Sequence, residues 1–233
     1  MERFLDSMPA RYLSATPAEQ IATHITMTQP HLRAPVVLHS EQNFSGGFTN
    51  VTICVVERRG VFSMIAGALS RNKLNILGAQ IYTSRYGVAV DTLQVETLGK
   101  TPVTDSRVWR QVEADLTAVL EDRQSCETAL PQRHQSAQER KLQAFAKPPQ
   151  VIIDNAGSDS YTLIEVQAQD QLGLLYKLTR LLFEGGLDIA LAKISTEANR
   201  AIDVFYVTDT LGHKIVDETI VSTIRHNLLA ALH

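Results

Sequence analysis

The chain has 233 residues, of which 44% are hydrophobic and 20% are charged, a composition typical of an ordinary globular protein. Twenty-two Lys and Arg against 25 Asp and Glu give a formal net charge of −3, whereas general binding to nucleic-acid phosphates would need a basic excess. No apolar run approaches the roughly 20 residues that span a membrane, and the two distant cysteines fit neither a disulfide scaffold nor a zinc site, so a cytoplasmic setting is predicted.

The first 34 residues are predicted to form a helical connector. Pro17 suits the first position of a helix, and the pattern favours a helix that runs to Thr26. A short apolar run follows at Val36–Leu38, and we expect it to form a strand ahead of the first domain.

The next segment, residues 35–122, predicts a compact α+β unit. β-Branched residues over Thr49–Val56 predict a strand, and a helix with apolar residues at helical spacing then runs from Glu57 to Asn72. A hairpin with arms over 75–84 and 88–97 follows, and a second amphipathic helix is predicted over 105–122. Residues 123–148 are polar and are predicted to be a linker.

The same order of elements recurs in residues 149–233, which we interpret as a duplicated domain. When Gly60 is aligned with Gly173, the apolar residues of strand, helix and hairpin keep the same phase, and after a one-residue loss in the hairpin turn Asp91 aligns with Asp203. The predicted elements of this copy are a strand over 161–168, a helix from Asp170 to the Gly185–Gly186 pair, hairpin arms over 188–197 and 201–208, and a helix over 218–232.

Each copy supplies strand–helix–strand–strand–helix, and a ferredoxin-like unit needs one more strand. The apolar runs Val36–Leu38 and Val151–Ile153 are predicted to supply it at the front of each copy, or to complete a neighbour's sheet. The predicted fold class is therefore α+β, with two βαββαβ-type domains in tandem and antiparallel sheets whose helices lie on one face.

The join between the first strand and the first helix is the candidate binding site in each copy. A helix N-terminus can hold a carboxylate, a glycine allows a ligand close to the backbone, and Glu57 or Asp170 could hold an ammonium group. Together these groups would recognise the zwitterionic head of an amino acid. The alternative is that the acid only caps the helix and the glycine only allows the turn.

Other chemistry finds little support in the residues. The histidines are scattered without ligand spacing, so no metal site is predicted. Asp91 and Asp203 lie inside predicted strands, where their repeated position favours a structural role over acid–base catalysis. No phosphate loop and no nucleotidyltransferase or hydrolase motif is found, so no catalytic residue is predicted.

Each copy resembles an ACT domain, a module that binds small effectors between copies. The pair resembles the C-terminal tandem ACT region of the bifunctional uridylyltransferase/uridylyl-removing enzymes that act on the PII nitrogen regulatory protein. The stretches that carry the resemblance are 60–69, 74–83, 90–95, 173–179 and 201–209, and residues 8–13 resemble the segment that joins the family's hydrolase domain to its first ACT domain. The family's loop reads Asp-Arg-Pro-Gly, and neither copy here keeps the proline, which should loosen the loop.

The resemblance implies a regulatory module that senses an amino acid, glutamine by family, in the control of nitrogen metabolism. It implies no catalysis and no cofactor in this chain, magnesium only in the family's catalytic domains, and PII protein as a partner only together with those domains. ACT–ACT pairing within or between chains is expected, without nucleic acid or membrane. The alternatives are an interaction module that binds no ligand, and an active uridylyltransferase, whose metal and phosphate groups the sequence does not offer.

The second copy is the preferred site, because Asp170 keeps the family's acid while Glu57 is one methylene longer. The ligand is expected where the Asp170 loop, the start of the next strand at Asp188 and a facing ACT copy meet. The predicted ligand-binding residues are Asp170, Gln171, Leu172, Gly173, Leu174, Asp188 and Ile189 in the second copy, and Glu57, Arg58, Gly60, Val61, Asn75 and Ile76 in the first. The chain is expected to be either a C-terminal piece of such an enzyme or a product without the catalytic half.

Overall fold

The computed structural model describes residues 2–28, 34–122, 147–197 and 200–232, so most of the linker predicted over 123–148 lies outside the described residues. The helices are α1 Glu2–Leu5, α2 Ala10–Ala15, α3 Ala18–Thr28, α4 Val61–Arg71, α5 Ser106–Leu120, α6 Leu174–Glu184 and α7 Glu218–Ala231. The strands are β1 Val36–Asn43, β2 Phe48–Val56, β3 Leu74–Thr83, β4 Val88–Thr97, β5 Gln150–Asp154, β6 Thr162–Gln169, β7 Asp188–Glu197 and β8 Arg200–Thr208.

Within these described ranges, eight strands form one sheet in the order β1-β2-β4-β3-β7-β8-β6-β5. The predicted front strands exist and each pairs antiparallel with the strand that follows it, β1 with β2 and β5 with β6. The two halves, 34–122 and 147–232, join where β3 pairs antiparallel with β7 through Gly78 with Ser195 and Ala79 with Ile194. The fold is α+β with two repeated ACT-like halves, as predicted.

The strand register confirms that the two halves are copies. Asp91 on β4 lies between Ile53 and Ile81, and Asp203 on β8 lies in the same way between Val166 and Ile194. A slip of one residue would have turned the apolar side of a strand away from the core, so this match fixes the same inward face in both halves. Both copies also carry a register shift early in the hairpin, after Ile76 and after Ile189.

The helices of the two halves cover one face of the sheet. One apolar cluster runs beneath them through both halves and includes residues of α4, α5, α6 and α7. Helices α4 and α6 contact each other across the junction between the halves. None of the described helices is both long enough and apolar enough to cross a membrane.

The N-terminal helices lie on the opposite face of the first half, which the sequence did not predict. Tyr12 of α2 is fully buried among side chains of that face, in a cluster that includes Cys54 and Tyr82. Its hydroxyl shares a hydrogen bond of 2.8 Å with Nδ1 of His24 on α3. Arg11 of α2 also reaches the second half, where its Nη2 donates to the carbonyl oxygen of Ala190.

Candidate functional site

The two candidate loops have the same unusual backbone. Helices α4 and α6 begin at Val61 and Leu174, four residues later than predicted, and each is preceded by a glycine in the left-handed region, Gly60 at φ 76° and Gly173 at φ 82°. No side chain caps either helix, so the interpretation of Glu57 and Asp170 as helix caps is wrong. The N–H groups of the first helical turn therefore have no side-chain partners. Those that follow Val61 and Leu174, whose own N–H groups bond to loop carbonyls, can donate hydrogen bonds to a ligand's carboxylate.

Gly60→Ala should lower the free energy of unfolding by about 2 kcal/mol, because a left-handed alanine is strained and its Cβ would lie 2.9 Å from Cδ2 of Phe183. Gly186→Ala is the matched control, since Gly186 has a φ of 77° with nothing within 4 Å of the added Cβ, and it should lose only about 1 kcal/mol. Urea unfolding of both variants checks the difference. Equal losses would mean that the Phe183 ring moves away from the added Cβ at little cost.

The loop of each half faces a strand of the other half. The Glu57–Gly60 loop and the start of α4 face the beginning of β7 and one side of α6, and they enclose a cavity of about 440 Å³, called cavity A below. The Asp170–Gly173 loop faces Asn75 and Ile76 at the beginning of β3, around a space of only about 10 Å³, called cavity B. The repeat therefore produces two related sites, of which one is open and one is nearly filled.

Cavity A combines cationic and anionic groups at its mouth. Nε of Arg59 lies 3.1 Å from Oδ1 of Asp188, and the Arg59 guanidinium also sits 5.7 Å from the ring centre of Phe183. Both side chains of the ion pair are well exposed, 53% for Arg59 and 39% for Asp188, so the pair contributes little to stability and can rearrange around a ligand. Arg58 is held apart from it, since its Nη1 donates to the carbonyl oxygen of Leu120 at 2.5 Å.

Two carboxyl groups lie deeper in cavity A. Oε2 of Glu57 accepts a hydrogen bond of 2.7 Å from the Thr83 hydroxyl, and burial raises the pKa of Glu57 above its usual range. Asp91 of β4 also lines the cavity and is only 2% exposed. Burial, and then the charge of Glu57, raise the pKa of Asp91 well above its usual value.

Cavity B is closed by a direct contact between the halves. Nδ2 of Asn75 donates a 2.9 Å hydrogen bond to Oδ2 of Asp170, across the position where a ligand would have to enter. Behind them Asp203 is 1% exposed, and burial followed by the charge of Asp170 raises its pKa to about 7. One difference from cavity A is the facing residue, which is Asn75 in cavity B and Asp188 in cavity A.

The structure distributes the predicted site residues over the two cavities. Cavity A receives Glu57, Arg58, Gly60, Val61, Asp188 and Ile189, and cavity B receives Asp170, Gln171, Gly173, Leu174, Asn75 and Ile76. The predicted meeting of the Asp170 loop with Asp188 does not occur, because each loop faces the partner half and Asp188 lies against Arg59. Leu172 lines neither cavity.

Several residues of cavity A were not predicted as site residues. Arg59 stands where the family has proline. Apart from their positions in the repeat, nothing in the sequence marked Thr83, Asp91 and Phe183 as ligand-binding residues. In the part of the chain that the structure describes, no group of three or more His, Cys, Asp or Glu side chains is placed to hold a metal ion. Cavity A offers both cationic and anionic groups, which suit a small molecule that carries both charges.

Comparison with known proteins gives a consistent result. Residues 150–233 match a family model described as "ACR9-like, ACT-like domain". The whole chain is 35% identical over 238 residues to the bifunctional uridylyltransferase/uridylyl-removing enzyme of Gluconobacter oxydans, covering 25% of that protein. The same enzyme of Azospirillum brasilense is 34% identical over 99% of this chain and 25% of its own length. The chain thus spans about a quarter of the length of these relatives.

A solved structure is similar over part of the fold. The crystal structure of aspartate kinase from Synechocystis matches 78% of this chain and 26% of its own chain, with 18% identity and a TM-score of 0.42.

Proposed function

Since the chain is homologous to the ACT region that forms the C-terminal quarter of bifunctional uridylyltransferase/uridylyl-removing enzymes, we propose that it is the amino-acid sensor of a PII uridylyltransferase and has no catalytic activity of its own. Cavity A is the proposed sensing site, and glutamine is the proposed ligand. The proposal includes a cytoplasmic location, and PII protein as a partner only alongside catalytic domains. The division into a connector, two ACT domains and a linker is part of the same proposal.

The observation that carries the proposal is the open cavity between the two halves, which is lined by both cationic and anionic groups. The amide groups at the start of α4 and the Arg59 guanidinium suit the ligand's α-carboxylate. Glu57 suits its ammonium group, and the Thr208 hydroxyl suits the side-chain amide of glutamine. At about 440 Å³ the cavity has ample room for an amino acid of this size.

A module that only mediates interaction, without a ligand, is the second candidate. Its support is cavity B, where the Asn75–Asp170 hydrogen bond leaves room for no amino acid. The pairing of β3 with β7 already joins the two ACT-like halves within one chain. The closed second site and the internal pairing are both compatible with an assembly role that needs no ligand.

Millimolar glutamine should raise the unfolding free energy of the protein by about 2.7 kcal/mol at a hundredfold excess over its Kd, because a ligand that binds only the folded state stabilises that state. Thermal unfolding with and without glutamine measures this. Glu57→Gln should erase most of the rise, because it removes a charge that holds the ammonium group in cavity A. Asp170→Asn, the equivalent change at cavity B, should keep the rise. An unchanged melting temperature with glutamine and every other common amino acid would favour the interaction module.

A further inference from the structure

Asp91 is a buried acid on an otherwise apolar face. Its neighbours at alternate positions of β4, Ala89 and Leu93, belong to the apolar cluster beneath the helices, and Asp91 itself is 2% exposed. Burying a carboxylate without a cationic partner is costly, so a simple structural role would favour an apolar residue here. Its side chain lines cavity A, which gives the acid access to whatever the cavity binds.

The groups around Asp91 do not neutralise it. Glu57 in the loop and Asp188 at the start of β7 are acids, like Asp91 itself. Cys54 on β2 is the other titratable group near Asp91. Arg58 and Arg59 of the loop are engaged elsewhere, with Asp122 and with Asp188. The cavity residues of α4 and α6 carry no charge, and β3 contributes a backbone hydrogen bond from Tyr82. Among the described residues no Lys or Arg forms an ion pair with Asp91.

Burial without a cationic partner favours the protonated form of the Asp91 carboxyl group while the cavity is empty. Burial and the nearby charge of Glu57 both raise the pKa of Asp91, and the Tyr82 backbone only partly opposes them. An ammonium group that enters the cavity reverses this balance, because it supplies the missing positive charge at short range. The carboxyl group would then ionise and bind the ligand more strongly than a neutral acid can.

We propose that the ammonium group of an amino acid in cavity A lies between Glu57 and Asp91, and that its binding drives the Asp91 proton into solvent. The O–H bond of the Asp91 carboxyl breaks, the carboxylate pairs with the ammonium group, and one proton is released for each ligand bound. This inference rests on the proposed function of cavity A. The inference predicts that the cavity recognises the α-ammonium group of its ligand. N-acetylated amino acids and 2-oxo acids lack this group and should not bind.

The second half supplies a natural control. Asp203 occupies the position of Asp91 in the repeat and is buried in the same way, with Oδ1 left without a hydrogen-bond partner. It lines cavity B, whose space of about 10 Å³ has room for roughly one water molecule and none for an amino acid. Removing the charge of Asp203 should therefore leave the linkage between amino-acid binding and proton release unchanged.

Calorimetric titration of the whole chain with glutamine tests the proposal, between pH 5.5 and 8.5 and in buffers of different ionisation enthalpy. The wild-type protein should release up to one proton per glutamine bound, its affinity should rise with pH, and N-acetylglutamine should not bind. Asp91→Asn should weaken binding at least about tenfold and abolish the proton release, whereas Asp203→Asn should keep both.

The outcomes separate this inference from the proposed function. If wild-type protein binds glutamine without releasing a proton, or Asp91→Asn still releases one, the role of Asp91 is overturned while cavity A remains a sensor site. If no amino acid binds to the wild-type protein, the proposed function fails and the inference fails with it. The wild-type buffer series decides without any variant, so poor folding of Asp91→Asn would not block the test.

Discussion

Lowering the pH from 7 to 4 should remove about 3 kcal/mol of folding free energy through one buried side chain, His24. His24 is 2% exposed and its Nδ1 is bonded to the Tyr12 hydroxyl, while Nε2 lies 3.4 Å from the hydroxyls of both Thr52 and Thr92. Burial, and then the charge of His39, lower the pKa of His24 to about 4. The ring is therefore neutral in the folded protein at any pH above that value.

The direction of the effect follows from which state binds the proton. The unfolded chain protonates His24 near its ordinary value of 6.5, whereas the folded chain does so only near 4, so stability is complete above 6.5 and is lost progressively as the pH falls to 4. The titratable groups beside His24 are Tyr12 on α2 and His39 on β1, and Cys54 on β2 packs with Tyr12 in the same cluster. None of them supplies a negative charge to an imidazolium ion, since burial raises the pKa of both Tyr12 and Cys54.

Urea unfolding at pH 7 and pH 4 measures this effect as a difference between variants. The carboxyl groups of Glu57, Asp91 and Asp203 have raised pKa values and stabilise the folded state as the pH falls, so the wild-type curve alone mixes opposite contributions. His24→Gln removes only the histidine contribution. The difference in the free energy of unfolding between the wild type and this variant should therefore change by about 3 kcal/mol between the two pH values. His226→Gln, an exposed substitution on α7, controls for the loss of a histidine outside the buried cluster. Parallel profiles for the wild type and His24→Gln would contradict the prediction.

The elements of both halves could be predicted because each carries a local signal. Period-two and period-3.6 patterns identify β2, α4 and the hairpins, and the repeat doubles the evidence for each of them. The packing of the N-terminal helices on the opposite face of the first half could not be predicted in the same way. Helices α1 and α2 span only four and six residues, too short for a periodic pattern or for independent stability, and they depend on packing by Tyr12 against the sheet.

The types of residue at the site could be predicted, but their grouping could not. Glycine and acid at the strand–helix join are visible in the sequence, whereas the crossing of each loop to the opposite half depends on a short pairing between β3 and β7. Which cavity stays open depends on differences at equivalent positions of the repeat. Arg59 of the open cavity A is equivalent to Leu172 in the second copy. Asp188 and Phe183, which also line cavity A, are equivalent to Asn75 and Ser70 at cavity B.

The closed state of cavity B should depend on one amide group, so Asn75→Asp should destabilise the protein by about 3 kcal/mol at pH 8. In the wild type, Nδ2 of Asn75 donates to Oδ2 of Asp170 at 2.9 Å and approaches Oε1 of Glu96 at 3.4 Å. An aspartate at this position has no proton to donate at pH 8, and it adds a charge next to Asp170, with Asp203 behind it. The loss therefore combines a hydrogen bond to a charged group with repulsion between carboxylates.

The pH dependence of this change distinguishes repulsion from a packing defect. Crowding by Asp170 raises the pKa of an introduced carboxyl group in the folded state, so its contribution to stability is lost as the pH rises and is regained as the pH falls. The cost of Asn75→Asp should therefore shrink toward pH 5, where a protonated acid can donate in place of the amide. Asp188→Asn makes the reciprocal change at cavity A and removes only an exposed ion pair with Arg59, which should cost less than about 1 kcal/mol at either pH. Urea unfolding of both variants at pH 5 and pH 8 measures the contrast, and a loss for Asn75→Asp that is the same at both pH values would show that the Asn75–Asp170 bond does not keep cavity B closed.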